Sequence, residues 1–251
     1  MKFPRVKQVT ERLLRVGSVG TNHVPARAAW IAQTLRNIPS GQRILDAGAG
    51  ELQFKKYCNH LKYVAQDFAQ YDGRGDGRGL TTGSWDQSRL DIVSDIASIP
   101  EPDGSFDAIM CIEVFEHLPN PVLAIKEFAR LLRPGGQLIL TAPFCSLTHF
   151  APYHFYTGFS RYFYRTHLAA HHFEIVELHE NGNYFEYMAS ELRRVPEVSA
   201  RYTSTRLRIG ELIALRMALK MFERLNRNDR GSSEILHVGC HVRAMKAKRP
   251  C

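Results

Sequence analysis

Arg43-Ile44-Leu45-Asp46-Ala47-Gly48-Ala49-Gly50, RILDAGAG, is the stretch whose reading decides the fold. Ile44 and Leu45 suit a buried strand. Asp46 to Gly50 then breaks into small residues behind an acid. A strand that stops in glycines and runs into a helix presents backbone N–H groups, and Gly48 and Gly50 carry no Cβ to keep a ligand away. An ordinary strand–helix turn has the same look, so a lone G-x-G decides little. The spacing of the acids that follow it decides more.

Working outward, Ala29, Trp30, Ala32, Leu35 and Ile38 recur at helical spacing, with Pro25 near the first turn and Pro39-Ser40-Gly41 as a stop. Downstream, Glu51 to His60 reads as a short helix and Tyr63 to Phe68, YVAQDF, as a strand that ends in Asp67. Gln70 to Ser88 is too rich in glycine for either element. Its Asp72, Asp76 and Asp86 lack the closing Glu of a calcium loop, so no metal is expected there. Leu90 to Ile96 reaches a third acid, Asp95, and Phe106 to Val114 is an apolar run that ends near Glu113. A helix from Pro121 to Arg133 stops at Pro134-Gly135-Gly136, and Gln137 to Ala142 is the next strand. Ser160 is placed to cap a helix through His171. Phe173 to Leu178 alternates as a strand, Glu186 to Arg194 and Leu207 to Leu225 read as helices, and Ile235 to Met245 is a final strand. Near-continuous apolar strands alternating with helices predict an α/β fold, a mostly parallel sheet covered on both faces. The expected organisation is a single domain over residues 1–251, with an arm at 1–20 and a helical insertion at 184–230.

A chain of 251 residues with 44% hydrophobic content can build one sizeable core. Its net charge of +8 suits phosphate-rich or anionic partners, or simply a solvated surface. The five cysteines, Cys58, Cys111, Cys145, Cys240 and Cys251, form no C-x-x-C and are odd in number. They read as buried thiols of a reducing compartment, neither a disulfide framework nor a zinc site. The first residues lack the apolar core of a secretory signal, and no apolar run approaches the roughly 20 residues of a membrane span. A soluble, cytoplasmic protein is expected.

Three successive strands therefore end in an acid: Asp46, Asp67 and Asp95. In open α/β sheets, ligands bind outside the carboxyl ends of the strands, and an acid after the second strand is placed to accept hydrogen bonds from ribose hydroxyls. The series ILDAGAG, YVAQDF, DIVSDI, FDAIMCIEVFEHLPNP and LLRPGGQLILTAPF resembles the class I S-adenosylmethionine-dependent methyltransferases, in particular their small-molecule branch. The resemblance covers roughly residues 40 to 180, with the last strand returning near 235–245. It implies a Rossmann-like sheet of seven strands in the order 3-2-1-4-5-7-6, the last one antiparallel, and S-adenosyl-L-methionine as cofactor. By the same resemblance, Gly48, Ala49 and Gly50 approach the amino-acid part of the cofactor and Asp67 binds its ribose. Phe68 lies beside the adenine, Asp95 and Ile96 flank it, and Glu113 lines the methionine end. Leu52 departs from the pattern, standing where the family often has a third glycine. A dinucleotide-binding oxidoreductase would need a glycine where the chain has Gln53. A base methyltransferase would need an Asn/Asp-Pro-Pro or Pro-Cys motif where it has CIEV.

The segment FCSLTHFAPYHFYTGFSRYFYRTH follows the fifth strand and borders the acceptor side. Methyl transfer to a hydroxyl or amine needs an aligned nucleophile and often a base, and histidine titrates in the right range. The stretch resembles the H-x-x-P-x-D-Y loop of methyltransferases in polysaccharide and secondary-metabolite pathways. His149 and Pro152 match it, and His154 stands in the place of the acid. His154 and His149 are thus the candidate bases, with Tyr153 and Tyr156 as acceptor contacts. His117 reads as a brace for the turn in EVFEH. In the insertion, Tyr184 and Glu186 could close over the acceptor. Leu207 to Leu225 is basic and amphipathic, fit to pack on its own domain, on a twin subunit or on a membrane surface. The predicted activity is O-methylation of a small polar metabolite such as a sugar or polysaccharide precursor. The alternatives are a regulatory protein that binds the cofactor without turnover and a nucleic-acid methyltransferase.

Overall fold

Ile44, Leu45 and Ala47 are fully excluded from solvent and set β1 (Arg43–Ala47) inside a sheet. The computed structural model describes residues 17–80, 83–203 and 205–248; most of the expected N-terminal arm, residues 1–16, lies outside them. β1 runs parallel to β2 (Lys62–Asp67) on one side and to β4 (Phe106–Ile112) on the other. β3 (Ile92–Val93) adds to β2, and β5 (Leu132–Pro143) adds to β4, both parallel. β7 (Gly239–Lys246) pairs antiparallel with β5, and β6 (Phe173–Asn181) follows it. The order is β3-β2-β1-β4-β5-β7-β6, the one the resemblance implies.

Alternation along the central strands sends neighbouring residues to opposite faces. Leu45, Ile109 and Leu138 join α2 (Pro121–Leu131) through Ile125, Phe128 and Leu131. Ile44, Met110 and Ile139 join α1 (His23–Arg36) through Ile31 and Leu35. Both faces are covered, which is why these strands read as nearly unbroken apolar runs.

Several elements differ from the sequence expectation. No α-helix forms over Glu51 to His60: turns lead into one 3-10 turn, Lys55–Tyr57. Leu52 sits at φ +61, in the left-handed region that interrupts a right-handed helix. Pro134-Gly135-Gly136 does not separate helix from strand. β5 already starts at Leu132, and its register against β4 shifts between Phe106 and Ala108, so an irregularity takes up the Pro-Gly-Gly. β3 has only two residues, and β7 begins at Gly239 rather than Ile235. α3 (Arg161–Ala170) starts after Ser160, whose side chain makes no capping bond. The insertion before β7 holds α4 (Tyr184–Tyr202), which continues through Pro196, and α5 (Ile209–Arg227).

The chain divides into two compact units. Arg27–His179 with Gly239–Cys251 carries the sheet. In the other unit, Met1–Ala26 with Glu180–Val238, the described residues are mainly helical. The helical unit packs around Val19, Ala189 and Leu219. Glu223 of α5 accepts the Ser18 and Val19 N–H groups there. On α5, Leu212 and Leu219 are buried while Ile209, Ile213, Met217 and Met221 are exposed. No helix among the described residues is long and apolar enough to cross a membrane. Among the described residues, Cys58, Cys111, Cys145 and Cys240 form no disulfide, and all but Cys145 are buried.

Candidate active site

A cavity of about 560 Å3 opens in the sheet unit, within the size range of small-ligand sites. Gly48 reaches it from the end of β1, Asp67 and Phe68 from β2, Asp95 and Ile96 from just beyond β3, and Glu113 from just beyond β4. Four parallel strands thus deliver their carboxyl ends to one place, as the topology requires.

The glycine turn is organised differently from the expectation. Its N–H groups are not directed at a ligand. Gly48 and Ala49 both donate to the Gln66 carbonyl at 2.9 Å. Gly50 donates to Asp67 Oδ2 at 2.9 Å. Only Gly48 of the three lines the cavity. Gly48 stands at φ +79, and a Cβ there would come within 2.5 Å of Val114. The turn is therefore pinned onto β2, and what it offers a ligand is close approach.

Asp67 is only 5% exposed, and its Oδ1 accepts the Ala69 N–H at 3.0 Å. A carboxylate has about four acceptor positions, so two backbone bonds leave capacity for a ligand's hydroxyls. Gln66, also in the lining, has a buried Oε1 that accepts no hydrogen bond. Adenosine brings hydroxyl and amine donors on a flat apolar body, and these residues fit it. Asp46 does not line the cavity. Burial lifts its pKa to about 7, opposed by the Tyr63 hydroxyl that donates to Oδ2 at 2.5 Å and reinforced by Asp67. Glu113, also in the lining, takes an unusual φ of +56. Its Oε1 accepts from Thr141 at 2.8 Å and its Oε2 pairs with Arg27.

The opposite wall is aromatic and was largely invisible in the sequence. Tyr71 and Trp85 line the cavity from the glycine-rich loop, and Phe150, Tyr153 and Phe155 from the loop after β5. Tyr71 stacks on Phe150 at 4.8 Å, Trp85 meets Tyr71 edge-on at 5.1 Å, and Phe68 meets Tyr153 at 5.0 Å. A bridge between Leu80 and His149 ties the two loops. Asp72 Oδ1 holds the Arg74 and Gly75 N–H groups, and Asp76 Oδ1 that of Arg78, so these acids shape their own loop. Two large aromatics in a glycine-rich loop were the one signal available beforehand.

His117, not His149 or His154, is the histidine in the cavity lining. Its Nδ1 donates to the Tyr153 carbonyl at 2.6 Å, and burial with His149 nearby lowers its pKa to about 3. His149 donates from Nδ1 to the Leu147 carbonyl at 2.8 Å, and its Nε2 lies 3.7 Å from Glu116 Oε1. His154 packs 4.9 Å from the His149 ring, with Nε2 3.2 Å from the Ser146 hydroxyl.

Of the expected acceptor contacts, Tyr153 lines the cavity, and the Tyr156 hydroxyl instead donates to the Pro119 carbonyl at 3.1 Å. Tyr184 opens α4 in the helical unit. Glu186 is 3% exposed there, and its carboxylate accepts the Gly20, Asn22 and His23 N–H groups at 2.9, 2.7 and 3.3 Å. It satisfies donors at the start of α1.

Sheet order, glycine turn and adenosine-sized cavity together define the class I S-adenosylmethionine-dependent methyltransferase fold. Residues 45–140 match the family described as "Methyltransferase domain". A ubiquinone biosynthesis O-methyltransferase of Xanthomonas axonopodis pv. citri (strain 306) is 34% identical over 120 residues, 47% of this chain and 48% of that protein. The chain thus matches about half the length of that curated relative. Among solved structures, phosphoethanolamine N-methyltransferase 2 of Haemonchus contortus, in complex with S-adenosyl-L-methionine, is similar with a TM-score of 0.52. The likeness has 16% identity over 88% of this chain and 52% of that one. The cyclase SpnF reaches a TM-score of 0.53 at 19% identity, covering 88% of this chain and 80% of its own. At these identities the structural likeness concerns the fold.

Proposed function

We propose that this chain transfers a methyl group from S-adenosylmethionine to a hydroxyl of a small, flat, largely apolar acceptor such as a phenol. The observation that carries this reading is the lining beyond Glu113. Leu118, Pro119, Phe150, Tyr153 and Phe155 offer apolar and aromatic contact, with the His117 imidazole among them. A sugar would call for several convergent polar side chains, because its hydroxyls lose water on binding and need partners. The relative named for ubiquinone biosynthesis supports an oxygen acceptor.

The cofactor's sulfonium supplies a strongly electrophilic methyl group. The protein's share is to hold the acceptor oxygen in line with it and to exclude water. Asp67 fixes the ribose end, and Gly48 allows the ligand against the backbone. Glu113, held by Thr141 and Arg27, faces the methionine end. The acceptor's proton leaves by way of His154, whose ring lies 4.9 Å from His149 and 6.2 Å from His117, or passes to water.

The test is S-adenosylhomocysteine release, followed by mass spectrometry, with a panel of mono- and dihydroxylated phenols beside a panel of sugars and nucleotide sugars. Protein-dependent product with phenols is expected. Product from sugars alone would overturn the acceptor class. Tight cofactor binding with no product from either panel or from cell extract would favour a binding protein.

A further inference from the structure

We propose that Glu116, His117 and His149 form a binding site for one divalent transition-metal ion of the zinc class, next to the cavity that His117 lines. No motif announces it, since Glu116 and His117 come from the 3-10 turn after β4 and His149 from the loop after β5. The fold brings one ligand atom of each within 4.8 Å of the others.

Glu116 Oε1 stands 3.7 Å from His149 Nε2 and 3.8 Å from His117 Nε2. Those separations are too long for hydrogen bonds. They lie close to the ~3.3 Å between donors that bonds of ~2.0–2.1 Å to a tetrahedral zinc ion would set. Glu116 is 1% exposed, and its Oε2 and the Nε2 of His117 are buried with no hydrogen-bond partner. Buried polar atoms are rarely left so, because each loses its hydration for nothing. A proton shared between Glu116 and His149 would satisfy that pair and leave the His117 lone pair unmet. A cation among the three engages the His117 lone pair together with Oε1 of Glu116 and Nε2 of His149, and a bidentate Glu116 would bring in Oε2 as well.

The groups behind the two imidazoles hold them as a metal site requires. His117 and His149 each give the Nδ1 hydrogen to a backbone carbonyl, Tyr153 and Leu147 respectively. That fixes both rings in the tautomer whose Nε2 carries a lone pair towards Glu116. Two imidazoles and a carboxylate favour zinc, iron or cobalt over magnesium or calcium. Because His117 also lines the cavity, a remaining coordination position would face the acceptor. A hydroxyl held there would ionise more easily. That consequence rests on the methyl-transfer reading; the binding site itself does not.

The experiment titrates chelator-treated full-length protein with Zn2+ by calorimetry and with Co2+ by visible absorption, with no acceptor present. About one Zn2+ per chain at micromolar affinity or tighter, and a Co2+ band in the visible, are expected. Glu116→Gln and His149→Ala should each weaken binding by at least about tenfold, since losing even a hydrogen-bond partner of a ligand costs that much. Folding is checked by thermal melting and by S-adenosylhomocysteine binding; if one variant fails to fold, the other decides. Absence of saturable binding would overturn the proposal. So would undiminished binding in folded variants, or preference for Mg2+ over Zn2+.

Discussion

Replacing Asp67 by Ala tests the cofactor site most directly, because its carboxylate serves the fold and the ligand at once. In the structure it accepts the Gly50 N–H at 2.9 Å and the Ala69 N–H at 3.0 Å. Ala would leave both donors without their partner, at about 1–3 kcal/mol each. The expected loss of stability is therefore roughly 2–6 kcal/mol, several degrees or more in Tm for a chain of this size. The lost charge-assisted bond to a ribose hydroxyl adds about 1.5–3 kcal/mol to binding, roughly ten- to hundredfold in Kd. Asp67→Asn should fall between wild type and Ala, because its one oxygen can serve only part of this set. Calorimetry with S-adenosylhomocysteine measures affinity, melting measures stability, and NAD should show no binding to the wild type. If folded Asp67→Ala binds S-adenosylhomocysteine within twofold of wild type, the ribose does not sit on Asp67.

Two further predictions concern buried carboxylates and pH. Asp46 titrates near 7 in the folded protein against 3.8 as its ordinary value, raised chiefly by burial. Folding then takes up a proton between those values, so this group's contribution makes stability fall as pH rises from about 4 to 7, by up to about 4 kcal/mol. Asp46→Asn should flatten that part of the profile in urea unfolding at a series of pH values; an unchanged slope would refute the assignment. For Glu186, burial acts to raise its pKa, but His23 and the Gly20 and Asn22 N–H groups outweigh it and lower it. Its stabilising contribution is therefore present above the ordinary glutamate range and is lost as pH falls through the lowered value. Glu186→Ala should cost about 2–4 kcal/mol at neutral pH by orphaning backbone donors at the start of α1, and a neutral effect in chemical denaturation would rule out the capping role.

The amino-acid sequence by itself determined the sheet and where ligands approach it. Apolar runs long enough for buried strands, each broken by an acid or by glycines, are local signals. Parallel topology then brings their ends together, and so Gly48, Asp67, Phe68, Asp95, Ile96 and Glu113 all reached one cavity. Local patterns failed where a contact distant in sequence overrides them. Leu52 in a left-handed conformation removed the helix drawn over Glu51 to His60, and pairing with β4 drew Pro134-Gly135-Gly136 into β5. Only the tertiary structure decided the aromatic wall, since Tyr71 and Trp85 become site residues by packing on Phe150 across a gap in sequence. It also reassigned the polar groups. Glu186 went to the backbone of α1, and His117 moved from brace to cavity. Glu116 and His149 faced each other across two loops. The physical reason is common to all three. A polar group's role is set by which partners remain within about 3 Å of it once water is excluded, and no spacing along the chain encodes that.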